Sequence, residues 1–335
     1  MAKQVDTNTS FNMMNYSSHE LLSVLKIFIT SIKNFHKNKL LLLSITFLAL
    51  FLNIGVILAY LFLSLEPLSD IVTNYPIFST YDPTSTTSTT DFLQSIFKIQ
   101  KDVATLLVEQ IIMILVLYVI SMHYTVATIY VSAMSHLHKD ITLKDLVLGI
   151  KKIWKKFVIT SFYVSLLGIG YNLLFLPCVM FVVVLYFSSK LMFVFGIALL
   201  IFPTLLLLYL CVVSTLSLVE SVLEEDVYGF GAIGNAERLV RGNKVQGVVI
   251  CLVFMVVSGV LVFPSMSPRK VWITVAVTMA KMIFTSLFPM FSCMVYTVFY
   301  FECKKSHGEE VEFEVDDMNY IKVPTVPLVD SALPL

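Results

Sequence analysis

The residues best suited to chemistry cluster between Val219 and Lys244. Glu220, Glu224, Glu225 and Asp226 open that stretch, Gly229, Gly231 and Gly234 follow, and Arg238, Arg241 and Lys244 close it. The three glycines spell G-x-G-x-x-G, a dinucleotide fingerprint that works only after a strand and inside a βαβ unit. Here an apolar run precedes them and another begins at Val245, so no such unit fits and no cofactor is expected. The spacing predicts instead a short amphipathic helix with Val227, Phe230, Ile233 and Val240 along it. Acids at its start and bases at its end complement the helix dipole, and Gly242 suits a left-handed position just past its end. The glycines would let it approach other backbones closely, as small residues do at membrane helix contacts. Glu224, Glu225, Tyr228, Gly231, Arg238 and Arg241 are its candidate contacts for a cytosolic protein partner.

Ionisable residues within apolar runs are functional candidates in their own right. Lys281 is the strongest of them, and Glu109 is expected at a similar depth, which makes an intramembrane pair one reading and snorkelling of Lys281 to the headgroups the plainer one. His123 stands alone, with no second ligand at metal spacing. Lys151, Lys152, Trp154, Lys155 and Lys156 form a basic segment suited to anionic lipid, at about 1 kcal/mol per basic residue near the surface. Its ordinary account is the basic flank of a span. Cys303 beside Lys304 and Lys305 is a candidate for palmitoylation, and Tyr320-Ile321-Lys322-Val323 fits a tyrosine-based sorting signal. No hydrolytic triad, metal cluster or paired-carboxylate site is visible, so neither catalysis nor a bound metal is expected.

The elements that must position these residues are membrane spans. Hydrophobic residues make up 57% of the 335, charged residues 14%, and mean hydropathy is +0.85, a composition foreign to soluble domains. Formal charge is zero, and no nucleic-acid partner is expected. Six spans are predicted, at about 40–65, 104–134, 157–187, 191–219, 245–263 and 271–301, within an all-α polytopic bundle. An N-terminal arm (1–39) precedes this membrane domain (40–301) and a polar tail (302–335) follows. The first apolar run begins at Leu40, too far in and too long for a cleaved signal. Residues 1–17 are polar and expected to be disordered. From His19 the residues Leu21, Leu25, Phe28, Ile32 and Phe35 fall at helical spacing among lysines, predicting an amphipathic helix. Glu66 and Pro67 are expected to end the first span, and Asp91 to cap the helix leading into the second. Spans three and four are separated only by Ser188, Ser189 and Lys190, a tight hairpin. Four of the five cysteines lie in apolar runs, against a disulfide framework.

Lysine and arginine fall mostly on one side. With Lys281 set apart, the N-terminal arm, the 135–156 connector, the 219–244 stretch and the tail hold 17 of the 23, and the alternate connectors hold 5. The positive-inside rule then places both termini in the cytoplasm. The arm, the 143–156 segment (Leu143, Leu146, Ile150 and Ile153 against its lysines) and the 219–244 stretch each feed an odd-numbered span. They suggest a threefold repeat of surface helix plus hairpin; the plain alternative is that basic flanks precede inside-starting spans. Prolines recur at Pro177, Pro203, Pro264 and Pro289. Discontinuous helices line transporter sites, so a small-solute transporter or channel is the alternative function, although proline is common in spans for packing reasons alone.

Val219-Glu220, Glu224-Glu225, Tyr228-Gly229, Ala232, Ala236, Leu239 and Gly242 together resemble the cytoplasmic loop of a plant family of uncharacterised six-span transmembrane proteins. More distantly the run is similar to the membrane domain attached to some bacterial glycerophosphodiester phosphodiesterases. The resemblance implies a six-span architecture and residence in the endomembrane system or plasma membrane, without implying a reaction. Ala236 stands where that family often has serine, and no phosphodiesterase catalytic domain is present. The expectation is a non-enzymatic integral membrane protein, a scaffold or trafficking factor, in contact with membrane lipids and a cytosolic protein.

Overall fold

The structure, a computed structural model, describes residues 2–74, 86–139, 141–188, 190–224, 226–262, 271–309, 312–314 and 320–322. Among the described residues eight helices follow one another: α1 (Ala2–Lys37), α2 (Lys39–Asn74), α3 (Thr86–His136), α4 (Leu143–Ser188), α5 (Lys190–Leu223), α6 (Phe230–Gly242), α7 (Lys244–Val262) and α8 (Val271–Ser306). Six of these, α2, α3, α4, α5, α7 and α8, are long and apolar enough to cross a membrane. The protein is an all-α, six-span membrane bundle. A short antiparallel ribbon in the tail, β1 (Glu312–Glu314) and β2 (Tyr320–Lys322), pairs Phe313 with Ile321.

The helices outrun the predicted spans. α1 continues through the polar arm to Ala2, where neither glycine nor proline interrupts residues 2–37. Glu66 and Pro67 do not end α2, which carries Pro67 inside it and runs on to Asn74. A proline removes one ladder bond, and the helix continues for about two turns beyond it although most of residues 68–74 are weak helix formers. α3 starts at Thr86, so Asp91 lies inside the helix rather than at its start. α4 and α5, the predicted hairpin, pack along each other, with Ser188 ending one and Lys190 beginning the next. Pro177, Pro203 and Pro289 all sit inside unbroken helices, and Pro264 lies outside the described residues.

The chain divides into two compact units, Leu43–Tyr124 and the combination of Met1–Leu42 with Thr125–Leu335. In the first, α2 and the early part of α3 run antiparallel. Thr46 and the Tyr124 hydroxyl meet at 3.4 Å at one end, and Lys98 pairs with Asp70 at 2.9 Å at the other. Thr46 and Asp70 are about 36 Å apart along α2 at ~1.5 Å per residue, somewhat more than a hydrocarbon core of roughly 30 Å. Between these ends a cavity of about 250 Å³ is lined by Val56, Tyr60, Leu63, Ile112, Met113 and Glu109, among others.

The second unit has its core at one end. Residues 126–135 of α3 and 294–300 of α8 are buried on every side, together with most of 212–223 in α5. Farther from this end the helices turn large apolar side chains outward, such as Leu173 and Phe202, the surface a bilayer covers. Glycine makes two close approaches possible: a Cβ on Gly149 would stand 2.7 Å from the Tyr130 ring, and one on Gly247 would stand 2.9 Å from Val212.

Two amphipathic segments differ from their predicted form. α1 packs on α7 and α8, but its buried face is Val24, Ile27, Ser31 and Asn34, whereas Leu21, Leu25 and Ile32 are exposed along with Leu22 and Ile29. The polar residues choose the face. Asn34 Nδ2 meets His136 Nδ1 at 3.2 Å, Ser135 Oγ donates to the Asn34 carbonyl at 2.8 Å, and His136 stacks on Phe301 at 4.6 Å. Phe28, from the predicted stripe, does pack inward, 5.9 Å from Phe254 and 6.1 Å from Phe291. The remaining aliphatic residues are left for lipid. In α4 the basic segment and the span form one continuous helix, opened by a reciprocal cap in which Thr142 Oγ1 donates to Asp145 Oδ2 at 2.7 Å and accepts from the Asp145 N–H at 3.3 Å. α6 is separated from its span at Asn243 and α1 at Asn38, whereas α4 has no break, so three like copies of a surface helix followed by a hairpin are not formed.

Candidate functional site

α6 lies against the buried end of the second unit, and its attachment explains the chemistry-bearing residues. The chain leaves α5 at Leu223 and turns at Gly229, whose φ of +62° is open to glycine and strained for other residues. The Gly229 N–H donates to Thr160 Oγ1 of α4 at 2.8 Å. Ala232, Ala236, Leu239 and Val240 then face inward and are buried. Gly231 and Gly234 do not make the close contacts expected of them, because a Cβ on either would meet nothing within 4 Å. The alanines do that packing. Gly242 is not left-handed either; it ends α6 in helical conformation and is close to His307, which a Cβ there would meet at 3.1 Å. The left-handed glycine that closes a helix is Gly308, φ +70°, beyond α8, with Glu309 N–H bonded to the Lys304 carbonyl at 3.1 Å.

The acids do not mark the start of α6. Its first turn holds none, and Glu220 and Glu224 sit at the C-terminal end of α5, where the helix dipole disfavours negative charge. Two residues of α8 compensate. Lys304 Nζ and the Tyr300 hydroxyl both donate to Glu224 Oε1, the latter at 2.8 Å. The Lys304 side chain is 9% exposed and that of Glu224 is 21% exposed, so this is a largely buried, charge-assisted pair. Glu220 is more enclosed, at 1% exposure. Its Oε2 has no partner among the described residues. At the rim, Arg238 pairs with Glu309 at 2.8 Å. Asn243 Nδ2 donates to Ser306 Oγ at 2.8 Å and to Cys303 Sγ at 3.7 Å. A seam of α5, α6 and α8 is thereby fastened by polar groups committed to one another.

The outward face of α6 has a different character. Phe230 is 76% and Tyr228 51% exposed, Gly231 and Gly234 are uncovered, and Arg238 and Arg241 are exposed. Arg241 is braced by Glu237 one turn away at 3.0 Å, whose hydrogen bond and charge raise the guanidinium pKa. Of the six residues proposed as partner contacts, Tyr228, Gly231, Arg238 and Arg241 are on the outside. Glu224 is turned into the seam, and Glu225 lies outside the described residues. Sequence reasoning missed Tyr300, Lys304 and Thr160. The readable signals were the i, i+4 spacings of Glu220 with Glu224 and of Tyr300 with Lys304, which put each pair on one helix face.

The other candidates lie elsewhere. Glu109 and Lys281 belong to different units. Glu109 borders the cavity of the first, with Oε2 buried and unpartnered among the described residues. Lys281 is half-buried within α8, with the candidate span Ile283–Ser306 beginning two residues later. His123 Nδ1 meets the Val119 carbonyl at 2.9 Å. On α4, Lys151, Lys152 and Lys155 are exposed, whereas Trp154 and Lys156 are half-buried; Leu143, predicted on the apolar side, is exposed at the helix start. Cys303 is wholly buried, which closes it to palmitoylation in the folded protein. Tyr320–Lys322 forms β2, and Val323 lies outside the described residues. Among the described residues no group of three or more His, Cys, Asp or Glu is placed to hold a metal.

Comparison with curated proteins and with solved structures returns no match to either. Residues 14–321, which take in all six spans and the α6 seam, match the family described as Domain of unknown function (DUF8558), and the chain belongs to that family.

Proposed function

We propose that this protein is a non-enzymatic membrane scaffold that displays the outer face of α6 to a cytosolic protein, with both termini in the cytoplasm. The carrying observation is that face itself. Phe230, Gly234 and Arg238 succeed one another at i, i+4 spacing, with Arg241 and Tyr228 beside them. Aromatic residues and arginine are the side chains that dominate protein interfaces, and the bare helix at Gly234 leaves room for a partner chain between them. No aliphatic residue interrupts the strip, which suits water rather than lipid, while the buried seam holds the helix in place. The resemblance to plant six-span proteins supports residence in the endoplasmic reticulum, elsewhere in the endomembrane system, or in the plasma membrane.

The test is a photo-crosslinking residue in place of Phe230 in the full chain in native membranes. A protein adduct is expected, and R241E, at an arginine whose only ion pair among the described residues is with Glu237 of the same helix, is expected to weaken it. Adducts to lipid alone would refute the reading. A small-solute transporter is the second reading, favoured by one observation, the Glu109 oxygen that has no partner among the described residues at the cavity in the Leu43–Tyr124 unit. Solute flux into proteoliposomes that E109Q abolishes would decide for it.

A further inference from the structure

Lysines on the first turns of α4 fall into two sets. At about 100° per residue, Lys144, Lys151 and Lys155 lie within ~40° of one another, whereas Lys156 turns toward the side buried by Leu146, Phe157 and Thr160. The three are exposed, and none forms an ion pair among the described residues. Asp145, the acid of residues 143–156, is committed to the Thr142 cap. Exposed aliphatic residues flank the ridge: Val147 on one side and Leu148 on the other. A basic ridge bordered by uncovered aliphatic side chains fits neither water alone nor hydrocarbon alone. It fits the boundary between them, where lysine stems lie along acyl chains and ammonium groups reach phosphates.

The ridge occupies the first turns of a helix that continues without a break into its span. We propose that Lys151 and Lys155, with Lys144 continuing the ridge, bind the headgroup phosphates of anionic phospholipids in the leaflet at the α6 end of the bundle.

Trp154 is a built-in reporter, because the chain has only two tryptophans. The full-length W272F protein would be reconstituted in vesicles of phosphatidylcholine with a brominated lipid, and Trp154 quenching read against its mole fraction. Brominated anionic phospholipid is expected to reach half-maximal quenching at a mole fraction at least fivefold lower than brominated phosphatidylcholine, with about fivefold of preference per lysine. K151Q/K155Q is expected to close that gap, K151R/K155R to keep it, and K152Q/K156Q to keep it. Equal quenching by the two lipids, or an equal loss in K152Q/K156Q, would overturn the proposal. Recovery of fluorescence on adding millimolar inorganic phosphate would assign the ridge to a soluble phosphate and overturn the lipid source.

Discussion

Replacing Lys304 with methionine keeps the length of the side chain and removes the charge that neutralises Glu224. Lys304 is 9% exposed and Glu224 21% exposed, so the carboxylate left behind is largely desolvated and keeps only the Tyr300 hydroxyl. Removing one member of a buried pair costs about 3–5 kcal/mol. The partial exposure of Glu224 argues for the lower figure, about 3 kcal/mol. At roughly 2–4 °C per kcal/mol for domains of this order of size, the apparent Tm of detergent-purified K304M should fall by about 6–12 °C. The decisive comparison is E224M/K304M. Exchanging both members for apolar residues removes the orphaned charge, and such exchanges are near neutral, so the double variant should recover most of the loss in intrinsic-fluorescence melts. If K304M melts with the parent protein, or if the double variant is less stable than the single one, the pair does not fasten α5 to α8.

Two further outcomes follow from the same region. E220Q should leave the apparent Tm unchanged or raise it, because Glu220 is buried beside a second carboxylate with an oxygen that has no partner among the described residues, whereas E224Q should lower it; equal losses would refute this. Glycine substitutions should divide by site: G231A and G234A should be neutral or stabilising by about 0.5–1 kcal/mol, and G149A and G247A should each cost about 1–3 kcal/mol through overpacking, as read by the same melts.

The six spans were legible because apolar composition and length decide membrane crossing almost alone. Their ends were not. At Pro67 and Asp91 local signals that stop or start helices in water were overridden, since a membrane helix is held by its neighbours and by the need to satisfy backbone groups internally. α1 shows a different limit. Its aliphatic stripe was read as the packing face, but in a bilayer aliphatic residues are equally at home against lipid, and Asn34, whose side chain finds its partner in His136 of α3, marks the side that meets protein. In the 219–244 stretch the helix and its basic end were readable from spacing. The fate of the acids was not, because Lys304 and Tyr300 lie some eighty residues away in sequence and become their partners only when α8 packs on α5. The glycines misled for a related reason: at Gly231 and Gly234 the absence of a side chain faces open space, and spacing alone cannot tell that from a contact.

α6 is pinned at both ends to different neighbours, its start to α4 through Thr160 and its finish to α8 through Asn243 and Ser306. Thirteen residues of helix make a rod about 20 Å long. Such a rod is a strut: it fixes the spacing of α4 and α8 at this end against lateral pressure from the surrounding lipid. Squeezing or spreading of the bundle there must rotate the strut rather than shorten it, so a change in membrane tension would register as a tilt of α6.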